Sequence, residues 1–174
     1  SLDVAQNVFG QLDILILNAG LFSNAPFDEE DIELFQKMID VNFSSVVRMT
    51  HAALPLLAKQ GRSEILAIGS IAGVSDMRDE AVYSATKHAA VSFAESLAIT
   101  YRPSGVNVTL VCPQYVATPL IGLTEADATD VDTLLTADDI AVATLEAIAE
   151  GRFLVLPHPE VQRFAQSRAR DHDK

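Results

Sequence analysis

Positive charge is scarce in this chain, and its glycines are scattered. Twelve lysines and arginines face 24 acids, a formal charge of −12. Nucleic-acid phosphates need clustered Lys and Arg, so no nucleic-acid partner is expected. The glycines are Gly10, Gly20, Gly61, Gly69, Gly73, Gly105, Gly122 and Gly151, and no two or three of them form Gly-x-Gly-x-x-Gly or Gly-x-x-x-Gly-x-Gly. A glycine-rich turn that cradles dinucleotide phosphates at a helix N-terminus is therefore not in this sequence. One cysteine, Cys112, allows no internal disulfide; its place at the end of an apolar run reads as a buried structural thiol. No apolar run approaches the roughly 18 residues of a membrane span, so the expectation is a soluble, cytoplasmic protein without a membrane partner.

What the chain does have is apolar residues enough for one core: 49% of 174. It shows no repeat, linker or low-complexity tract, so 1–174 is expected to be one domain, with its core in 1–156 and a charged tail over 157–174. Leu12 to Leu17, Ile65 to Ile68, Val106 to Cys112 and Phe153 to Leu156 read as strands. Several are apolar on both faces, the mark of a parallel sheet covered by helices on both sides. Between them an apolar periodicity runs from Ile32 to Leu57, too long for one ordinary helix, so a break is expected, and Pro55 should kink the chain or sit near a turn. Asp28 to Asp31 marks a helix start. Further helices are expected from Tyr83 to Arg102, from Ala137 to Glu150 capped by Thr136 and ended by Gly151, and from Glu160 onward. Leu120 to Asp139 is acidic and reads as a solvated segment.

The chemistry concentrates between Ser70 and Lys87. Tyr83 and Lys87 stand four apart, which puts both side chains on one helix face, about 5–6 Å apart at Cβ. A free phenol titrates near pH ~10, and a neighbouring ammonium would lower that value, so Tyr83 could exchange a proton with an alcohol or carbonyl near neutrality. Ser70, at a strand end, could hydrogen-bond the same oxygen. A hydrolytic role for Ser70 fits poorly, because Gly69-Ser70-Ile71-Ala72-Gly73 is not a Gly-x-Ser-x-Gly elbow and no His and Asp pair with it. His51 and His88 have no metal-ligand partners and read as helix-surface or interface residues.

Five features in order resemble the short-chain dehydrogenase/reductase family: Leu17-Asn18-Ala19-Gly20 at a strand end, Asn42 in Asp40-Val41-Asn42, Ser70 thirteen residues before Tyr83, Lys87, and Pro113 with Val116 and Thr118. The resemblance runs from near the first residue to about Pro157. It implies a Rossmann-like, doubly wound parallel α/β sheet, incomplete at its N-terminal side. It further implies an NAD- or NADP-dependent oxidoreductase acting on a small-molecule alcohol or carbonyl, with Tyr83, Lys87, Ser70 and Asn42 as catalytic residues. Asn42 would hold a relay water through its carbonyl, at the expected helix break. Asn18, Ala19, Gly20, Tyr83, Lys87, Pro113, Val116 and Thr118 would lie along the cofactor. Ser70, Ala72, Glu80, Gln114, Tyr115 and Leu120 would line the substrate pocket, with the segment from Leu120 to Asp139 as its lid.

Two departures stand out: Leu17 replaces the family's first Asn, and Gln114 replaces a usual Gly. Pairing into a homo-oligomer through helices about 42–59 and 83–102 is also implied. Since the glycine-rich turn is absent and the chain opens on Ser1 inside what reads as a helix end, a C-terminal portion of a longer protein is expected, inactive alone. A non-catalytic dinucleotide-binding or interaction protein that retains the fold is the alternative.

Overall fold

The computed structural model describes residues 2–23, 25–124, 126–127 and 134–171. Its strands in chain order are β1 (Ile14–Leu17), β2 (Ser63–Ile68), β3 (Val106–Val111), β4 (Tyr115–Val116), β5 (Leu134–Leu135) and β6 (Leu154–Val155). β1, β2, β3 and β6 form one parallel sheet in that spatial order, and β4 pairs with β5 beside it. The helices are α1 (Leu2–Val4), α2 (Ile32–Ile39), α3 (Ser45–Leu57), α4 (Ala81–Tyr101), α5 (Ala137–Glu150) and α6 (Pro159–Arg170). None of the described helices is long and apolar enough to cross a membrane.

Apolar residues on both faces of β2 and β3 draw helices to both sides of the sheet. On one side Val46, Ala53 and Leu57 of α3 and Val91, Ala94 and Leu97 of α4 pack on Leu15, Leu17, Ile65, Ala67, Val108 and Leu110. On the other, Ile140 and Ala147 of α5 pack on Leu66, Val111 and Val155. α5 begins at a reciprocal cap: the Thr136 side chain accepts from the Asp139 N–H, and the Asp139 carboxylate accepts from the Thr136 N–H. It ends at Gly151, whose φ of 67° is left-handed.

The long periodicity does break at Asn42. A π-helical turn, Asp40–Ser44, separates α2 from α3; single π turns of this kind often mark functional sites. Asp31 caps α2, accepting from the Glu33 N–H at 2.9 Å. Pro55 lies two residues from the end of α3, where the lost N–H disturbs little of the helix that follows.

Two features differ from expectation. β1 is not covered on both faces: Leu15 and Leu17 are buried, while Ile14 and Ile16 are 52% and 61% exposed. The reason is reach, since α5 covers β2, β3 and β6 but stops short of β1. Among the described residues β1 pairs with β2 alone, so its other edge presents unpaired N–H and C=O groups. The second difference lies after Pro157, where a charged tail was expected. Its first turn enters the core, with His158 1% and Val161 0% exposed.

An apolar strand that is both edge and bare face is an association hazard. The 174-residue chain is predicted to self-associate in light scattering, and Ile14→Lys with Ile16→Lys to lower its average mass. A wild-type chain that stays monomeric at high concentration would contradict this.

Candidate active site

The site forms where β2 and β3 end, the usual ligand position in a parallel α/β sheet. After Ile68 the chain passes Gly69 and enters a 3₁₀ turn, Ile71–Gly73, which Ser70 caps by accepting from the Ala72 N–H at 3.1 Å. At Gly69 the constraint is space, because a Cβ there would lie 2.8 Å from Cys112 Sγ and 3.3 Å from the Val111 carbonyl oxygen. Gly73 is tighter still against α4: a Cβ would lie 2.7 Å from Val91 Cγ2 and 2.9 Å from the Lys87 carbonyl oxygen. This close approach brings the turn that carries Ser70 onto the helix that carries Tyr83, near enough for the Ser70 hydroxyl to favour the phenolate.

Tyr83 is buried on α4 and held edge-on by Phe22, with ring centroids 4.9 Å apart. Lys87 is buried one turn later, its Nζ 5.6 Å from the Tyr83 ring centroid and donating to the Ile68 carbonyl at 3.2 Å. Asn42 fastens these pieces from behind. Its Oδ1 accepts from the Leu21 N–H at 2.7 Å, and its Nδ2 donates to the Leu21 carbonyl at 2.9 Å and to Thr86 Oγ1 at 3.1 Å. Thr86 in turn donates to the Tyr83 carbonyl at 2.8 Å. One amide thus ties the segment after β1 to the turn of α4 that bears Tyr83. At 2% exposure, Asn42 is no solvent-facing helix residue.

The electrostatics correct one expectation. Burial pushes the Tyr83 phenol above its usual range; the Ser70 hydrogen bond pulls it down, and Glu80 and Cys112 add smaller upward pushes. The depression expected from Lys87 is not found. Its ammonium is itself desolvated, down to about 8, and it is engaged with the Ile68 carbonyl. Burial likewise raises Glu80, and lifts the Cys112 thiol to about 11.

A cavity of about 550 Å³ opens over this cluster. Twelve of the sequence-nominated residues line it: Asn18, Gly20, Ser70, Glu80, Tyr83, Lys87, Pro113, Gln114, Tyr115, Val116, Thr118 and Leu120. Three do not. Ala19 is exposed beside it, Asn42 acts from behind, and Ala72 is fully buried against Met38, Val82 and Tyr83. Sequence reasoning missed Leu21, Phe22, Met77 and Ile121 on the apolar wall, and the face of α5 along which the cavity continues over bare β1. It also missed His158, which accepts from the Gln114 N–H at 3.1 Å through Nδ1 and bonds the Tyr115 carbonyl at 3.0 Å through Nε2. Of the acidic segment expected as a lid, Glu125 and 128–133 lie outside the described residues. No group of His, Cys, Asp or Glu among the described residues is placed to hold a metal.

A family model described as short chain dehydrogenase matches residues 2–129. The chain belongs to that family. An uncharacterized oxidoreductase of Staphylococcus saprophyticus is 36% identical over 142 residues, covering 82% of this chain and 59% of the relative. A short-chain dehydrogenase/reductase of Burkholderia phymatum, solved with NAD, superposes with a TM-score of 0.87 at 28% identity, over 99% of this chain and 70% of that one. A short-chain dehydrogenase of Burkholderia cenocepacia, solved with NADP, gives 0.83 at 25% identity, over 98% and 69%. The architecture is thus the Rossmann-like α/β sheet of these dehydrogenases. The chain spans about half the length of the curated relatives it matches.

The buried Lys87 of this dehydrogenase fold carries a stability prediction. A folded-state value near 8 against 10.5 unfolded means that the unfolded chain binds the proton more tightly. The cost is full below pH 8 and is relieved as pH rises. Cys112 opposes this above about pH 9, since its thiol ionises first when unfolded. Between pH 8 and 9 stability to urea should therefore rise by about 1 kcal/mol, and Lys87→Met should abolish the rise. Equal pH slopes in the two proteins would refute the buried-ammonium account.

Proposed function

We propose that this chain carries the proton-transfer centre and substrate wall of an NAD(P)-dependent oxidoreductase that interconverts an alcohol and a ketone or aldehyde. The observation that carries the reading is the convergence of Ser70, Tyr83 and Lys87 on one cavity, with Asn42 bonded to the helical turn between Tyr83 and Lys87. The residues present fit the nicotinamide and ribose end of the cofactor. Asn18, Gly20, Lys87, Val116 and Thr118 line the same cavity, and a Cβ on Gly20 would sit in ordinary contact with Asn42 Oδ1 and Lys87 Nζ, so the backbone there lies beside the lysine. When bound, the nicotinamide supplies or accepts the hydride.

The chain's own part is the proton and its placement. Tyr83, kept protonated at neutral pH by burial, donates its phenolic proton to the substrate oxygen in the reducing direction. Ser70 hydrogen-bonds the same oxygen and the phenol, which favours the phenolate left behind. Lys87 adds its charge beneath the ring and offers Nζ to the ribose. Asn42 keeps α4 and the segment after β1 in register, and its role as anchor of a proton relay belongs to this reading.

The apolar wall of Leu21, Phe22, Met77 and Leu120, with polar Glu80 and Gln114, suits a carbonyl compound of small to medium size and disfavours an anionic one. Neither NAD nor NADP is favoured by the residues at hand. Met49 on α3 and Ile99 on α4 are exposed apolar residues, consistent with pairing of two copies through those helices.

The phosphates have no cradle in these 174 residues, so the chain by itself is proposed to be inactive. Tested in the chain joined to an N-terminal half that bears a glycine-rich turn, Tyr83→Phe should lower turnover by about 10²–10⁴-fold while the affinity for NAD(P)H is kept. Undiminished turnover would remove Tyr83 from the chemistry and the reading with it.

A further inference from the structure

Two side chains at opposite ends of the C-terminal helical segment reach the two loops on the substrate side of the cavity. At its start, buried His158 bridges neighbouring backbone groups, accepting the Gln114 N–H at Nδ1 and meeting the Tyr115 carbonyl at Nε2. Since a carbonyl only accepts and an N–H only donates, the ring here is neutral with its proton on Nε2. Ten residues on, about 15 Å along the helix, Arg168 stands in the last turn of α6. Its guanidinium lies 3.3 Å from Asp76 Oδ2 and donates to His88 Nε2 at 2.9 Å. His88 Nδ1 in turn faces the Ser84 carbonyl at 2.9 Å, so this ring too has one consistent tautomer, with its proton on Nδ1.

The loop that Arg168 grips needs a grip. Asp76 precedes Met77, and Met77 and Glu80 both line the cavity. Asp79, between them, has a φ of 59°, the left-handed region that a non-glycine residue seldom occupies. The other loop carries Gln114 and Tyr115, which line the same cavity. Neither loop is held by a long strand: β4 has two residues, and 74–80 has no strand at all.

We propose that α6 is the positioning element of the substrate pocket, with His158 fixing Gln114–Tyr115 and Arg168 fixing Asp76 and, through it, Met77 and Glu80. What the pocket binds rests on the dehydrogenase reading; the clasp itself does not. Asp76 is 66% and Arg168 35% exposed, so the grip is moderate, suited to setting a loop's position without rigidifying it.

Hydrogen exchange on the 174-residue chain tests the clasp without any activity. Arg168→Gln and Asp76→Asn should each speed amide exchange across 74–80 by roughly two- to fivefold. The double variant should add no more than either single, and Arg168→Lys should restore part of the protection. Exchange at the Gln114 amide should be unchanged by Arg168→Gln and accelerated by His158→Ala. Because the buried His158 variant could fail to fold, the surface variant Arg168→Gln carries the decision.

In the protein extended by an N-terminal half, Arg168→Gln should raise KM for a bulky ketone about two- to fivefold and leave kcat for a small one unchanged. Unaltered exchange over 74–80, additive effects of the two variants, or a fall in kcat at constant KM would each overturn the proposal. Absence of turnover in every form of the extended protein would overturn the dehydrogenase reading instead, with the exchange data still deciding the clasp.

Discussion

The packing of Gly73 against α4 is the contact on which the rest of the site depends. Ser70 comes from a strand end and Tyr83 from a helix, and two such elements approach closely only if nothing stands between them. A Cβ at Gly73 would collide with Val91 Cγ2 and the Lys87 backbone, so the turn can lie on the helix only because that atom is absent. Gly69 does the same at the base of the turn, against Val111 of β3 and Cys112 just after it. The pair of close approaches fixes Ser70 from both directions, independently of any bond its hydroxyl makes.

Asn42 works at longer range. The π turn Asp40–Ser44 directs a buried amide at Leu21 and Thr86, joining three segments remote in sequence. Burial then shapes the chemistry of what has been assembled. A desolvated phenol favours its protonated form, and a desolvated ammonium gives up its proton more readily. Burial therefore favours the neutral form of both groups, moving Tyr83 up and Lys87 down, with the Ser70 hydroxyl moderating the phenol.

Much of this could be read from the sequence because it is local. The Thr136 cap and Gly151 stop of α5, the break at Asn42 and the four-residue spacing of Tyr83 and Lys87 depend on neighbours within a turn or two. What could not be read depends on partners far along the chain. Tyr83 titrates upward because Met38 of α2, Ala72 of the turn after β2 and Phe22 of the segment after β1 bury it, and spacing alone says nothing of burial. His158 stands in a charged stretch, yet its partners are Gln114 and Tyr115, more than forty residues earlier. Its Pro159 neighbour, a good first residue for a helix, was the one local hint. Ile14 and Ile16 look like core residues in the sequence, and their exposure follows only from where α5 ends.

The central proposal is that this chain holds the reactive centre of a dehydrogenase without the grip on the cofactor's phosphates. The most direct test is fluorescence titration of NADH and NADPH into the 174-residue chain and into the same chain joined to an N-terminal half bearing a glycine-rich turn. The account predicts binding only by the joined protein, with the tighter of the two dinucleotides naming its cofactor. Tight binding by the 174 residues alone, or none by the joined protein, would contradict it.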